Sequence, residues 1–319
     1  MGSGAVGSLA TTHDADLDEL AGDVIAVDAY IELHQYIHSI TDDWGDYVRN
    51  DEGEPISHLI GFVSRLGPIL DSGIKPVYVF DGGYDELKED ELSSRANPDA
   101  KENFLEAKEE GDQSTANHYA HKKAHVTDFM IESTTNLLDA MGVPYIVAPG
   151  EAEPQAAQLV QEGQADYVGS QDWDVMLYDV PAMVRDLRTN GCTLVRQDEL
   201  LNDRDWTLDE LRWFAILTGT DYNTSAYQVG TYRGKQIVNK ADSFEEVMDK
   251  AESYDSSIDR DRWLRVLDLF ENQELETGFE PEWQPFNLDA VHAVACEQYG
   301  LADWQVQSRM KNVDNSDLF

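Results

Sequence analysis

Basic residues are scarce in this chain. Lys and Arg total 23 against 63 Asp and Glu, which leaves a formal net charge of −40 and a pI near 4.2. The acids are spread through every segment instead of one tail, and 41% of the residues are hydrophobic, so neither an acidic tail nor a disordered chain explains the charge. The pattern predicts a protein working in molar salt. Only two cysteines occur, Cys192 and Cys296, too few for a disulfide framework and in keeping with a reducing cytoplasm. No Cys/His pattern suggests zinc. No run approaches the ~18 apolar residues of a membrane span. The opening Met1-Gly2-Ser3-Gly4-Ala5 lacks the basic start of a secretion signal, and Val6 stands where myristoylation needs Ser or Thr. There is no internal repeat and no low-complexity segment. At 319 residues the chain can bury one large core or two domains.

What is present is a set of acids in unusual places. Four short runs rich in β-branched and aromatic residues read as buried parallel strands: Val24-Ile25-Ala26-Val27, Val77-Tyr78-Val79-Phe80, Tyr145-Ile146-Val147 and Tyr167-Val168. Acids follow each: Asp28, Asp81, the doublet Glu151 and Glu153, and the doublet Asp172 and Asp174. Asp221 follows a helical pattern ending at Gly219-Thr220. In open α/β sheets ligands bind outside the carboxyl ends of the strands, so these acids converge on one site. Convergent carboxylates cannot all stay ionised alone, and hard divalent cations with oxygen ligands, Mg²⁺ or Mn²⁺, relieve the repulsion. Any one of the seven is as readily a solvated surface acid in a chain this acidic. The i, i+2 doublets placed directly after strands favour a metal site.

Strands alternate with helical patterns over the first 220 residues or so, which predicts βαβ units in a mostly parallel sheet with helices on both faces. Ile56, Leu59, Ile60, Val63, Leu66 and Leu70 mark a helix with one apolar stripe. The stretch from about Asp85 to His125 is charged, weakly apolar and interrupted by Pro98 and Gly111. It is too long for an ordinary connection and reads as a lid, an arch or a disordered loop. Helical periodicity resumes at Val126 to Met141, with Pro154 tolerated in the first turn of a later helix. Leu208 to Thr218 forms another helix. A turn-rich stretch, Asn223 to Gly234, leads into Lys235-Gln236-Ile237-Val238, and amphipathic helices follow around Trp263 to Phe270 and Leu288 to Tyr299.

Five motifs in order carry a resemblance: Val24-Ile25-Ala26-Val27-Asp28-Ala29; Gly73-Ile74-Lys75-Pro76 continuing through Val77 to Asp81-Gly82; Ala148-Pro149-Gly150-Glu151-Ala152-Glu153; Ser170-Gln171-Asp172-Trp173-Asp174; and Gly219-Thr220-Asp221-Tyr222-Asn223. From about Gly22 to Val313 the chain resembles the flap endonucleases of the XPG-type 5′ nuclease family, the archaeal ones most closely. The resemblance implies a PIN-like 5′ nuclease fold with a nuclease core over 1–222, a helical arch at about 85–128, a helix-hairpin-helix segment over 207–262, and C-terminal helices with a short tail over 263–319. It implies that the seven acids hold two Mg²⁺ ions about 4 Å apart, with Mn²⁺ able to substitute.

The same resemblance places Lys88 and Arg95 over the scissile phosphate, where an ordinary surface pair is the plainer alternative. It assigns DNA contacts to Gly2, His34 and Gly230, and a monovalent cation, K⁺, to the helix-hairpin-helix segment. Asn50 to Leu59 resembles a loop that recognises a one-nucleotide 3′ flap. Three departures stand out. Pro98 and Asp99 replace further bases of the arch, Gln228-Val229-Gly230 has lost one of two glycines, and only Asn312, Asn315, Leu318 and Phe319 align with a sliding-clamp motif. The implied function is that of a monomeric cytoplasmic enzyme cutting 5′ flaps in replication and repair. Rivals are an exonuclease or gap endonuclease of the same family, a paralogue that binds branched DNA without cutting, and a metal-dependent RNase.

Overall fold

The computed structural model describes residues 3–83, 87–88, 99–311 and 313. Its centre is a seven-stranded sheet: β1 (His13–Ala15), β2 (Val24–Asp28), β3 (Lys75–Phe80), β4 (Tyr145–Val147), β5 (Tyr167–Gly169), β6 (Ala182–Arg188) and β7 (Gly191–Arg196), in the order β1-β7-β6-β5-β2-β3-β4. From β6 across to β4 every neighbouring pair is parallel, while β7 and β1 complete the other edge antiparallel. The four apolar runs form β2 to β5. They pair in parallel; β2, β3 and β5 are internal and apolar on both faces, while β4 closes the edge with Val147 exposed.

The helices are α1 (Gly4–Gly7), α2 (Ala29–Ser39), α3 (Ser57–Asp71), α4 (Ala100–Glu110), α5 (Gln113–Lys123), α6 (Asp128–Met141), α7 (Ala152–Gln161), α8 (Gln197–Asn202), α9 (Leu208–Thr218), α10 (Thr231–Val238), α11 (Phe244–Glu252), α12 (Arg260–Glu271), α13 (Leu288–His292) and α14 (Asp303–Met310). Alternation along the strands divides the core in two. Ala26, Val77, Val79 and Val168 pack with α7 and with α9 to α12. Ile25, Val27, Tyr78 and Phe80 pack on the opposite face with α2, α3, α6, α13 and α14. Thus α12 joins one core through Trp263, Val266 and Phe270, and the last helices join the other through Val291, Val306 and Met310. α14 approaches α3 closely, with the Arg309 carbonyl over Gly67, where a Cβ would collide.

The described part of the insertion is a helical hairpin. α4 and α5 pack on one another through Phe104, Ala107, Ala116 and Ala120, a small core apart from the sheet. Gly111, with φ of 76°, makes the left-handed turn between them. Lys123 ties the hairpin to Asp46, with Nζ 2.5 Å from Oδ1. Pro98 lies outside the described residues. The turn-rich stretch after Asp221 is shorter than its composition suggests, because α10 already begins at Thr231, and Gly234 sits inside it against the Phe214 ring and Thr218. Among the described residues no helix is long and apolar enough to cross a membrane.

Candidate active site

The strand order reverses at β2: the chain passes to β3 and β4 on one side, then returns to β5 and β6 on the other. The crevice beyond the carboxyl ends of β2 and β5 is therefore the place where an open sheet binds its ligand. Asp28 ends β2 and caps α2, accepting the Ile31 N–H at 3.0 Å. Asp172 follows β5 and caps a 3-10 turn, accepting the Asp174 N–H at 2.9 Å. The Ser170 hydroxyl accepts the Asp172 N–H at 3.1 Å and lies 3.4 Å from Asp28 Oδ2, so one small side chain orients acids from both strands. Asp81 follows β3 and accepts the Ala152 N–H at 2.6 Å, which joins the end of β3 to the start of α7. Glu151 directly precedes α7, and Glu153 lies in its first turn.

Six of the seven acids come from these strand ends, and electrostatics binds them into one cluster with Asp221. Burial, then Asp81 and Asp172, push the Asp28 pKa up to about 8, against the opposing Ile31 amide and Lys88. Burial and Asp28 hold Glu153 well above the usual carboxylate range. Burial and Asp172 raise Asp174 to about 7; Asp221 adds to the rise and the bonds from Ser3 oppose it. Burial also raises Glu151, although Lys88 and the Tyr222 hydroxyl counter it. Lys88 pairs with the Glu151 carboxylate. Burial would lower the lysine pKa, but Glu153 and Glu151 outweigh it and keep the ammonium charged. A cluster this negative, made of oxygen donors alone, fits hard divalent cations.

Four residues that the strand-end pattern does not single out complete the arrangement. The Tyr222 hydroxyl donates to Glu151 Oε1 at 2.7 Å. Arg262 of α12 donates to the Tyr222 carbonyl at 2.7 Å and to the Leu87 carbonyl at 3.0 Å, so it braces Glu151's partner and the backbone beside Lys88 together. The Ser3 N–H donates to Asp174 Oδ1 at 2.7 Å. Ser170 is the fourth. Tyr222 and Ser170 sit inside the quoted motifs; Arg262 and Ser3 lie far from the acids in sequence, and only the folded chain brings them there.

The remaining candidates divide. Arg95 and Gly2 lie outside the described residues, as do Asn312, Asn315, Leu318 and Phe319. His34 stands on α2 between Tyr30 and His38, with ring centroids 5.1 and 5.9 Å away, and the ladder continues from His38 to His121 of α5 at 5.4 Å. Burial, then the neighbouring histidines His38 and His125, lower the His34 pKa to about 4, so the ring is neutral. Gly230 is exposed and caps α10 with an extended backbone. Gln228 has φ of 61°, in the left-handed region that favours glycine.

An open parallel sheet with acids converging at its switch point is the PIN-like nuclease fold, and the solved structures agree. The chain is similar to flap endonuclease-1 from Methanococcus jannaschii, with a TM-score of 0.74 and 26% identity over 97% of each chain. The same fold is seen in the catalytic core of Rad2 in complex with DNA substrate, with a TM-score of 0.74 at 23% identity over 97% of each chain. Residues 4–102 match the XPG N-terminal domain and residues 142–221 the XPG I-region. Flap endonuclease 1 of Methanosarcina acetivorans is 32% identical over 95% of this chain and 93% of that protein. The relative from Haloquadratum walsbyi is 32% identical over 96% and 92%. The chain belongs to the flap endonuclease 1 family.

Proposed function

We propose that this chain is a structure-specific 5′ flap endonuclease of DNA replication and repair, hydrolysing a phosphodiester at the junction of single strand and duplex. The observation that carries the reading is the convergence of seven acids and one half-buried lysine at the switch point of the sheet. In the proposed roles Asp28, Asp81, Glu151, Glu153, Asp172, Asp174 and Asp221 hold two Mg²⁺ ions, for which Mn²⁺ can substitute. Such ions, when bound, supply Lewis acidity and an ionised water. The chain's own residues do the rest. Ser170, Tyr222 and the Ser3 amide fix the orientation of the carboxylates, as outer partners of metal ligands do. Lys88, now held by Glu151, supplies a charge that can be placed on the scissile phosphate, and Arg95 supplies a second.

The same reading assigns DNA contacts to Gly2, His34 and Gly230. It makes residues 1–222 the nuclease core with its arch at about 85–128, 207–262 a helix-hairpin-helix segment holding K⁺ against the duplex backbone, and 263–319 the closing helices and tail. Enzyme and DNA meet as a monomer in the cytoplasm, with the tail offered weakly to a sliding clamp.

A labelled 5′ flap, a nicked duplex and single-stranded DNA, each with and without Mg²⁺, test the function. The expected result is Mg²⁺-dependent cutting of the flap at its junction in preference to the other two. Preferential digestion of single strands would favour an exonuclease, and binding of all three without cutting would favour a structure-binding paralogue.

A further inference from the structure

The sequence has no Cys/His spacing of a metal site, yet the fold builds a mixed one far along the chain from the acid cluster. His292 closes α13, the backbone then widens into a π-helical stretch over Ala293–Gln298, and Gly300, with φ of 76°, turns the chain into α14, whose first residue is Asp303. One ligand atom each from His292, Cys296 and Asp303 lie within 4.8 Å of one another. His292 Nε2 is 2.9 Å from Asp303 Oδ1, and its Nδ1 faces the Glu297 carboxylate at 3.8 Å. Short π-helical insertions occur often at functional sites, and here the stretch begins directly after His292, contains Cys296, and leads to the turn that brings in Asp303.

We propose that His292, Cys296 and Asp303 bind one thiophilic divalent cation, zinc foremost, which fastens α14 to the π-helical stretch before it. The donor set decides the class: a thiolate with an imidazole and a carboxylate suits zinc, whereas the oxygen-only acid cluster suits Mg²⁺. Donors around a tetrahedral zinc at ~2.0 to 2.3 Å stand roughly 3.5 Å apart, so side-chain rotation of about 1 Å closes the present spacing. A cation between His292 Nε2 and Asp303 leaves Nδ1 facing Glu297, the outer carboxylate that commonly orients a metal-bound imidazole. Three protein donors leave the fourth position to water, which makes the site exchangeable.

Without metal, burial and the nearby Asp303 and Glu297 push the Cys296 thiol up, so it carries its proton. On binding, the S–H bond breaks, a sulfur–metal bond forms, and the proton leaves to solvent. The acids that disfavour the thiolate are those that attract the dication. Because α14 packs on α3 at Gly67, the bound ion ties the π-helical stretch to that packed pair of helices.

Cobalt(II) serves as the probe, added to the full chain in excess Mg²⁺. A thiolate-to-cobalt charge-transfer band should saturate at one equivalent, persist in Cys192→Ala, vanish in Cys296→Ser, and be displaced by Zn²⁺. His292→Ala should weaken cobalt binding at least tenfold. Zn²⁺ should raise the melting temperature of the wild type and of Cys192→Ala but not of Cys296→Ser, while Mg²⁺-dependent flap cutting by Cys296→Ser stays at the wild-type rate. Absence of the band in the wild type, its survival in Cys296→Ser, or unchanged cobalt affinity in His292→Ala would overturn the site.

Discussion

Lys88 is the one described cation paired within the acid cluster, and its Nζ also lies 5.9 Å from the Tyr222 ring. A preformed positive charge in a half-buried site stabilises the developing charge of a transition state more than the ground state. Lys88→Ala and Arg95→Ala should each lower single-turnover flap cleavage by about a hundredfold or more, with flap affinity within about threefold. Variants that cut within about threefold of wild type would remove both residues from the catalytic account. At the same scale, Gln228 occupies a left-handed backbone that costs a non-glycine residue roughly 1 to 2 kcal/mol.

At the scale of elements, Arg262 joins α12 to the site by its bonds to the Leu87 and Tyr222 carbonyls. Hydrogen bonds from charged donors contribute about 1.5 to 3 kcal/mol, and small displacements of catalytic groups cost far more in rate than in binding. Arg262→Ala should therefore slow single-turnover cleavage by roughly ten- to a hundredfold, with flap affinity little changed, and Arg262→Lys should recover part of the loss. Equal rates for all three proteins would show that α12 does not position Lys88.

The elements also show what can be read before folding. β2 to β5 are legible because continuous apolar runs bounded by acids admit few other readings. The antiparallel edge is not, since β6 mixes Arg185, Asp186 and Arg188 into its pattern and irregular pairing interrupts it there, with Asp186 at φ 49°. The π-helical stretch hides within a pattern that reads as one amphipathic helix from Leu288 to Tyr299, because one extra residue in a turn barely alters the periodicity. The acids of the site are legible from strand ends; Ser3, which bonds Asp174, and Arg262, which braces the Tyr222 and Leu87 carbonyls, are not, because only tertiary contacts bring them in.

For the whole molecule, a net charge of −40 sets the conditions of work. Repulsion acts over a Debye length of ~10 Å at 0.1 M salt and only ~3 Å at 1 M. High salt also removes most of the counterion-release gain, so recognition must rest on metal bridging, stacking and backbone amides. Flap cleavage and folded content should rise from 0.1 M towards molar KCl. An optimum at or below 0.2 M KCl, with an intact circular-dichroism spectrum there, would show that the acidic surface is no salt adaptation. The central claim is that the switch-point acids cut DNA through the metal they hold, and Asp174→Asn tests it most directly. Asparagine keeps an oxygen for the Ser3 N–H but loses the charge, so in molar KCl with Mg²⁺ the variant should bind the 5′ flap and fail to cut it. Robust flap cleavage by Asp174→Asn, or by the wild type in excess EDTA, would contradict that account.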